Sequence, residues 1–123
     1  MPDADNLVRI EDRQGVKLMR LRASALLTEE EVETLGQALL GLAEVPGQRI
    51  VLSFLGVTHI TSVVLNKLVL AQRRLQDSGG ELRLADIDPH VYEMFTITRL
   101  DRRFRIFERE DEAVASFLGR AEG

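Results

Sequence analysis

The chain has 123 residues, of which 45% are hydrophobic, enough for the core of one domain and too many for a disordered chain. Sixteen Lys and Arg stand against 20 Asp and Glu, a formal charge of -4 that gives no electrostatic footprint for nucleic acid; the basic doublets Arg73-Arg74 and Arg102-Arg103 read as solvated faces. The absence of cysteine excludes disulfides and thiol chemistry and fits a reducing compartment.

The opening "MPDADNL" is acidic and polar, unlike a signal peptide. The longest stretch without a charge, Ile50 to Asn66, is just short of a membrane span and holds Ser, Thr, His, Asn and Gly, so it reads as a buried strand, a loop and a helix start. The expectation is a cytoplasmic protein with no membrane insertion, one domain over residues 1–123.

"NLVRIED" (Asn6–Asp12) and "VKLMRLRA" (Val16–Ala23) alternate apolar and polar residues around "RQG", which predicts a hairpin. Thr28 and Glu31 form the capping-box pattern. Val32, Leu35, Leu39 and Leu42 then recur at helical spacing, predicting an amphipathic helix over Glu29–Glu44 that Pro46-Gly47 ends. "RIVLSF" (Arg49–Phe54) is apolar and β-branched, as a strand buried on both faces would be. After the loop "LGVTHIT", a helix is expected over Ser62–Ser78, with Val64, Leu68, Ala71 and Leu75 inward and Gly79-Gly80 closing it. "ELRLADI" (Glu81–Ile87) completes a right-handed βαβ unit with parallel strands.

Asp88-Pro89 reads as N-cap and first helical residue, with Val91, Met94, Phe95 and Thr98 on one face of a short helix. "FRIFE" (Phe104–Glu108) is a last strand. "REDEAVASFLGRA" is a last helix whose Glu110, Asp111 and Glu112 suit its positive N-terminal end. The order predicts an α/β domain: a mixed, mostly parallel sheet of four to five strands with about four helices packed on it.

The motifs of common enzymes are missing. Gly79-Gly80 lacks the Lys-Ser/Thr of a phosphate-binding loop, and there is no GxGxxG or HExxH. His59 and His90 are the only histidines, and with no cysteine to join them no metal site is expected. His59 reads as a half-buried, hydrogen-bonded structural histidine. The carboxylates gather at helix starts, where the helix dipole accounts for them. The reading is a binding protein, not an enzyme, with no cofactor.

The stretches "GVTHITSVVLNKL" and "DPHVYEMFTITRLDRRFRIF", with the helix ending in "GG" between them, resemble the STAS domain, the fold of bacterial anti-sigma factor antagonists. The family pattern is "GVxxIDSSGLGxL", then "xPxVxxxFxxTxLxxxFxI", and the likeness runs over nearly the whole chain. The resemblance implies a phosphorylation-switched antagonist. A serine kinase that is also the anti-sigma factor phosphorylates the serine after the family's aspartate, and the unphosphorylated form binds that kinase and frees the sigma factor. A serine phosphatase resets the cycle. The serine maps to Ser62, with Thr61 as second choice of phosphoacceptor. Thr61 stands where the family has Asp, and Val64 and Asn66 stand where it has glycines.

The implied contact surface is His59, Thr61, Ser62, Val63, Asn66, Lys67 and Leu70; Val63, Lys67, Leu70 and Arg74 form a stripe opposite the inward one. Without a phosphate, the Ser62 hydroxyl would serve as a helix cap, a contribution of about 1 kcal/mol. With one, about 1.5 to 2 negative charges would sit at the positive end of the helix, which the domain tolerates and a docked partner does not. The alternative is a non-phosphorylated accessory or scaffold STAS subunit of a signalling complex or membrane transporter, which the lost Asp and glycines favour. A third reading, a nucleotide phosphate held at the same helix end, lacks a glycine cradle.

Overall fold

The computed structural model describes residues 7–22, 25–26 and 28–119. Its elements are β1 (Val8–Arg13), β2 (Val16–Leu21), β3 (Ala25–Leu26), α1 (Glu29–Leu42), β4 (Arg49–Ser53), β5 (His59–Ile60), α2 (Ser62–Asp77), β6 (Glu81–Ala85), α3 (Pro89–Ile97), a 3-10 turn (Leu100–Arg102), β7 (Ile106–Phe107) and α4 (Glu110–Phe117). The main sheet runs β1-β2-β4-β6-β7; β1 and β2 are antiparallel and the other neighbours parallel. It is the mixed, mostly parallel sheet expected, with four helices packed on it.

The expected hairpin closes on a two-residue turn, since Arg13 pairs with Val16. Gln14 (φ 58°) and Gly15 (φ 92°) both take positive φ, the geometry that matches strand twist, and Asp12 Oδ1 accepts from the Gly15 N–H at 2.9 Å. The predicted strand ends Asn6 and Ala23 lie outside the described residues. The capping box holds: Thr28 Oγ1 accepts from Glu31 N at 3.1 Å, and Glu31 Oε1 from Thr28 N at 3.2 Å.

Alternation along the strands makes two cores. Met19, Leu21, Ile50, Leu52, Leu82 and Leu84 point to one face, where Leu35 and Leu39 of α1, Val64, Leu68, Ala71 and Leu75 of α2, and Val91 and Phe95 of α3 cover them. Val16, Leu18, Val51 and Ala85 point to the other, under Ala113 and Val114 of α4. The central strand β4 is thus buried on both sides, which is why its sequence is a continuous apolar run. Phe95 bridges Phe54 and Phe104 in edge-on contacts at 6.4 and 6.1 Å, anchoring α3 and the approach to β7.

Several boundaries differ from expectation. The last strand is only Ile106–Phe107 within the expected Phe104–Glu108; a left-handed Arg99 and a 3-10 turn lead into it, and Phe104 is buried against Phe95. The last helix stops at Phe117 and is capped from elsewhere: Arg109 makes no cap bond, and Asp86 Oδ2 accepts from Glu110 N at 3.0 Å. Thr98 is exposed, not on the buried face; it is the C-cap of α3 and its hydroxyl donates to Met94 O at 2.7 Å. The loop before α2 contains β5, which pairs in parallel with β3, Ala25 opposite His59 and Leu26 opposite Ile60. Neither strand was expected, since two residues carry no periodicity.

Candidate functional site

The corner where β5 runs into α2 is built by its apolar residues. Val57 and Ile60 are buried in the larger core, so the residues between and after them are held at the surface. Pairing with β3 fixes the backbone of His59 and Ile60 and so sets where α2 begins. Thr61 is the N-cap, with extended φ −108° and ψ 167°, and its carbonyl accepts from Val64 N at 3.0 Å. Ser62 is the first helical residue.

The expected cap bond is not made. Thr61 has no side-chain cap interaction, and among the described residues neither the Thr61 nor the Ser62 hydroxyl has a hydrogen-bond partner. A side chain at the first helical position lies past the place from which a hydroxyl reaches the N2 or N3 amide, so Ser62 cannot serve as the cap. Its side chain is exposed and Thr61 is half-buried. The first turn of α2 holds no acidic residue, so nothing there opposes an anion at the helix start.

The other predicted residues divide. Val63 and Leu70 are each 51% exposed and Asn66 and Arg74 are exposed, forming a continuous outer stripe beside Ser62. Lys67 is instead half-buried. Its stem lies against Gly36 of α1, where an added Cβ would meet the Lys67 chain at 3.0 Å, and its Nζ pairs with Glu33 at 3.2 Å. It ties the two helices together as well as bordering the stripe. His59 is exposed, not half-buried as expected, because alternation on β5 sends Ile60 inward and His59 out; its Nδ1 lies 2.9 Å from Thr58 Oγ1.

A second polar node lies at the ends of β4 and β6. Arg20 donates to both oxygens of Glu110, at 2.8 to 3.2 Å, and this hydrogen-bonded pairing holds the Glu110 carboxyl below its usual range. Burial, then the neighbouring Glu110 charge, pushes Asp86 above the usual range. The Ser53 hydroxyl lies beside both carboxylates and accepts from Leu55 N at 3.3 Å. Nothing local in the sequence marks this node, since its members are 33 residues or more apart except at the Asp86–Glu110 cap, where |i−j| is 24. Asp86, Asp88 and Glu108 line an open cleft of about 300 Å³ with the Phe54–Thr58 loop, a carboxylate surround that disfavours a nucleotide phosphate. Among the described residues no group of three or more potential ligands is placed to hold a metal ion, and no helix is long and apolar enough to cross a membrane.

A mostly parallel sheet covered by helices on both faces, with an exposed hydroxyl at the start of α2, defines a small α/β fold with a surface site. The chain belongs to the STAS-domain family, whose pattern it matches over residues 8–113. It is 31% identical over 70 residues to BtrV of Bordetella bronchiseptica, a protein named as a candidate anti-sigma factor antagonist; the match covers 57% of this chain and 60% of BtrV, less than two thirds of that relative's length. The fold is similar to that of an anti-sigma-factor antagonist (STAS) domain protein from Planctomyces limnophilus, with a TM-score of 0.80 at 18% identity over 90% of this chain and 97% of that one. It is also similar to the anti-sigma factor antagonist SpoIIAA in its unphosphorylated form, with a TM-score of 0.78 at 18% identity over 94% and 99% of the two chains.

Proposed function

We propose that this STAS-domain chain is a phosphorylation-switched anti-sigma factor antagonist, a cytoplasmic binding module and not an enzyme. In its unphosphorylated form it binds an anti-sigma factor that is also a serine kinase, releasing a sigma factor. Phosphorylation of Ser62 ends that binding, and a serine phosphatase restores it. The observation that carries the reading is the Ser62 hydroxyl: exposed, without a hydrogen-bond partner among the described residues, and bordered by the exposed apolar side chains of Val63 and Leu70. A kinase can reach it without disturbing the fold, because no cap bond has to break.

The departures from the family pattern, which by themselves favour the accessory-subunit reading, leave the Ser62 hydroxyl and the outer face of α2 in place. Thr61 in place of Asp removes a negative charge beside the modified position, so a phosphate there meets less repulsion. Val64 in place of Gly is fully buried and contributes to packing, leaving the outer face unchanged. Asn66 in place of Gly adds an exposed amide one turn beyond Ser62.

The test is intact-mass spectrometry with peptide mapping on protein from its native host, followed by binding of Ser62→Ala and Ser62→Glu variants to the kinase so identified. Phosphate on Ser62, with binding kept by Ser62→Ala and lost by Ser62→Glu, is the expected result. Phosphate on Thr61 would move the switch by one residue. No phosphate under growth, starvation and stress would overturn the switch and leave the accessory-subunit reading in its place.

A further inference from the structure

The main sheet has two outer edges, and they are treated differently. On β1 the acidic side chains are paired at home: Glu11 with Arg13 and Arg20, and Asp12 with Lys17. The other edge is β7. Its partner β6 takes up the carbonyls of Arg105 and Phe107, which accept from Leu84 N at 3.0 Å and Asp86 N at 3.3 Å. Successive residues of a strand direct their backbone groups to opposite sides, so Ile106 and Glu108 turn theirs away from the sheet. Among the described residues no strand covers them, since the sheet ends at β7.

Beside this edge runs an apolar groove of about 490 Å³ lined by Ile87, Pro89, Tyr92, Ile106, Phe107 and Glu108, with Tyr92 41% exposed. The chain leading into the edge is basic. Arg99, Arg102, Arg103 and Arg105 are all exposed, with Asp101 the one acid among them, on a protein whose formal charge is -4. None of the four has a carboxylate partner among the described residues; Arg105 lies 6.0 Å above the Phe107 ring. Arg13, Arg20 and Arg83 each have an acidic partner, whereas Arg9, Arg49, Arg73 and Arg74 have none among the described residues; what sets the β7 approach apart is that four such arginines fall within seven residues, Arg99 to Arg105, beside a sheet edge.

We propose that the free β7 edge docks an extended acidic segment of a partner protein, one with an aliphatic or aromatic residue at every second position. The segment adds to the sheet through the outward backbone groups of Ile106 and Glu108, seats its apolar side chains in the Ile87–Tyr92–Phe107 groove, and sets its carboxylates against Arg102, Arg103 and Arg105 at the N-terminal end of β7, with Asp86, Asp88 and Glu108 at the other end. The backbone bonds supply the alignment. The unpaired arginines choose an acidic segment over a basic one. This surface lies on β7 and α3, so it does not depend on the state of Ser62.

The experiment is an NMR titration of the full isotope-labelled chain. The probe is a synthetic ten-residue peptide alternating glutamate with valine and phenylalanine, and its lysine-for-glutamate counterpart is the control. The expected result is saturable binding of the acidic peptide only, with amide shifts centred on Arg105–Glu108 and Tyr92. The double variant Arg103→Glu/Arg105→Glu, both at exposed positions, should keep the wild-type melting curve and bind about tenfold more weakly, in line with two surface charge pairs reversed. Ile106→Pro should bind no peptide, since it removes an outward N–H while both bonds to β6 remain. Ser62→Glu should bind as the wild type does. The proposal is overturned by no binding at millimolar peptide, by equal binding of the lysine peptide, by shifts confined to the start of α2, or by binding only to anionic lipid vesicles.

Discussion

Gln72 offers the sharpest test of how this fold is held together. It is 4% exposed, on the inner face of α2, and its amide bonds the backbone of Leu82 twice: Oε1 accepts from Leu82 N at 2.7 Å and Nε2 donates to Leu82 O at 2.9 Å. Nε2 also reaches Arg103 O at 3.3 Å. The reason is the shortness of β7, which pairs only with Leu84 and Ala85 and leaves the start of β6 without a strand on the side away from β4. The side-chain amide acts there as the peptide group of a missing strand. Replacing Gln72 with Leu keeps the volume and removes every one of these bonds. A buried amide and carbonyl left unsatisfied cost about 1 to 3 kcal/mol each, and partial access of water to the carbonyls reduces the sum. The expected loss is about 2 to 4 kcal/mol, read as a fall of more than about 1 M in the urea midpoint with an unchanged slope. Amide exchange should quicken at Leu82 and in the Arg103–Phe107 segment. A loss below about 0.5 kcal/mol would refute the claim that the amide stands in for a strand.

Asp86→Asn should stabilise the protein at neutral pH: its carboxyl is pushed above the usual range, so the ionised form is disfavoured by folding, while Asn keeps an acceptor for Glu110 N and tolerates the left-handed backbone at φ 56°. The gain should be absent in acid and appear as pH rises through the titration of Asp86, in melting curves recorded against pH. Glu110→Gln should do the reverse: its carboxyl is held below the usual range by Arg20, so the stability it contributes is present above the ordinary glutamate range and disappears as pH falls through the lower folded value. Gly80→Ala should cost several times as much as Gly79→Ala in denaturant titrations. A Cβ at Gly80 would sit 2.2 Å from Gln48 O, whereas at Gly79 nothing lies within 4 Å and only the strain of φ 86°, about 1 kcal/mol, is added. Thr28→Ala should lose about 1 kcal/mol with its capping box, and Thr61→Ala, which breaks no cap bond, should change the melting temperature much less.

The elements legible in the chain are those whose signal is local. Thr28 and Glu31 mark the start of α1 because both partners of the box lie within one turn. Asp88-Pro89 marks α3 for the same reason, and the alternation around Gln14-Gly15 marks the hairpin. The unbroken apolar run of β4 announces burial on both faces, and the spacing of Val64, Leu68, Ala71 and Leu75 announces the inner side of α2. The position of Ser62 at the start of that helix was readable on the same grounds.

What the residues do at that position was not. Thr61 has the extended backbone of an N-cap yet makes no cap bond, and the place where α2 begins is set by β5, which pairs with Ala25 and Leu26 from more than thirty residues away. The same distance in sequence separates Lys67 from Glu33, so a residue that reads as a free outer charge is in fact a link between helices. Asp86 caps α4 across 24 residues, and Gln72 completes β6 where β7 falls short. Such contacts join side chains to backbone groups that periodicity never brings together; they are set by which strands are neighbours and how far each extends, and these follow from packing the whole chain.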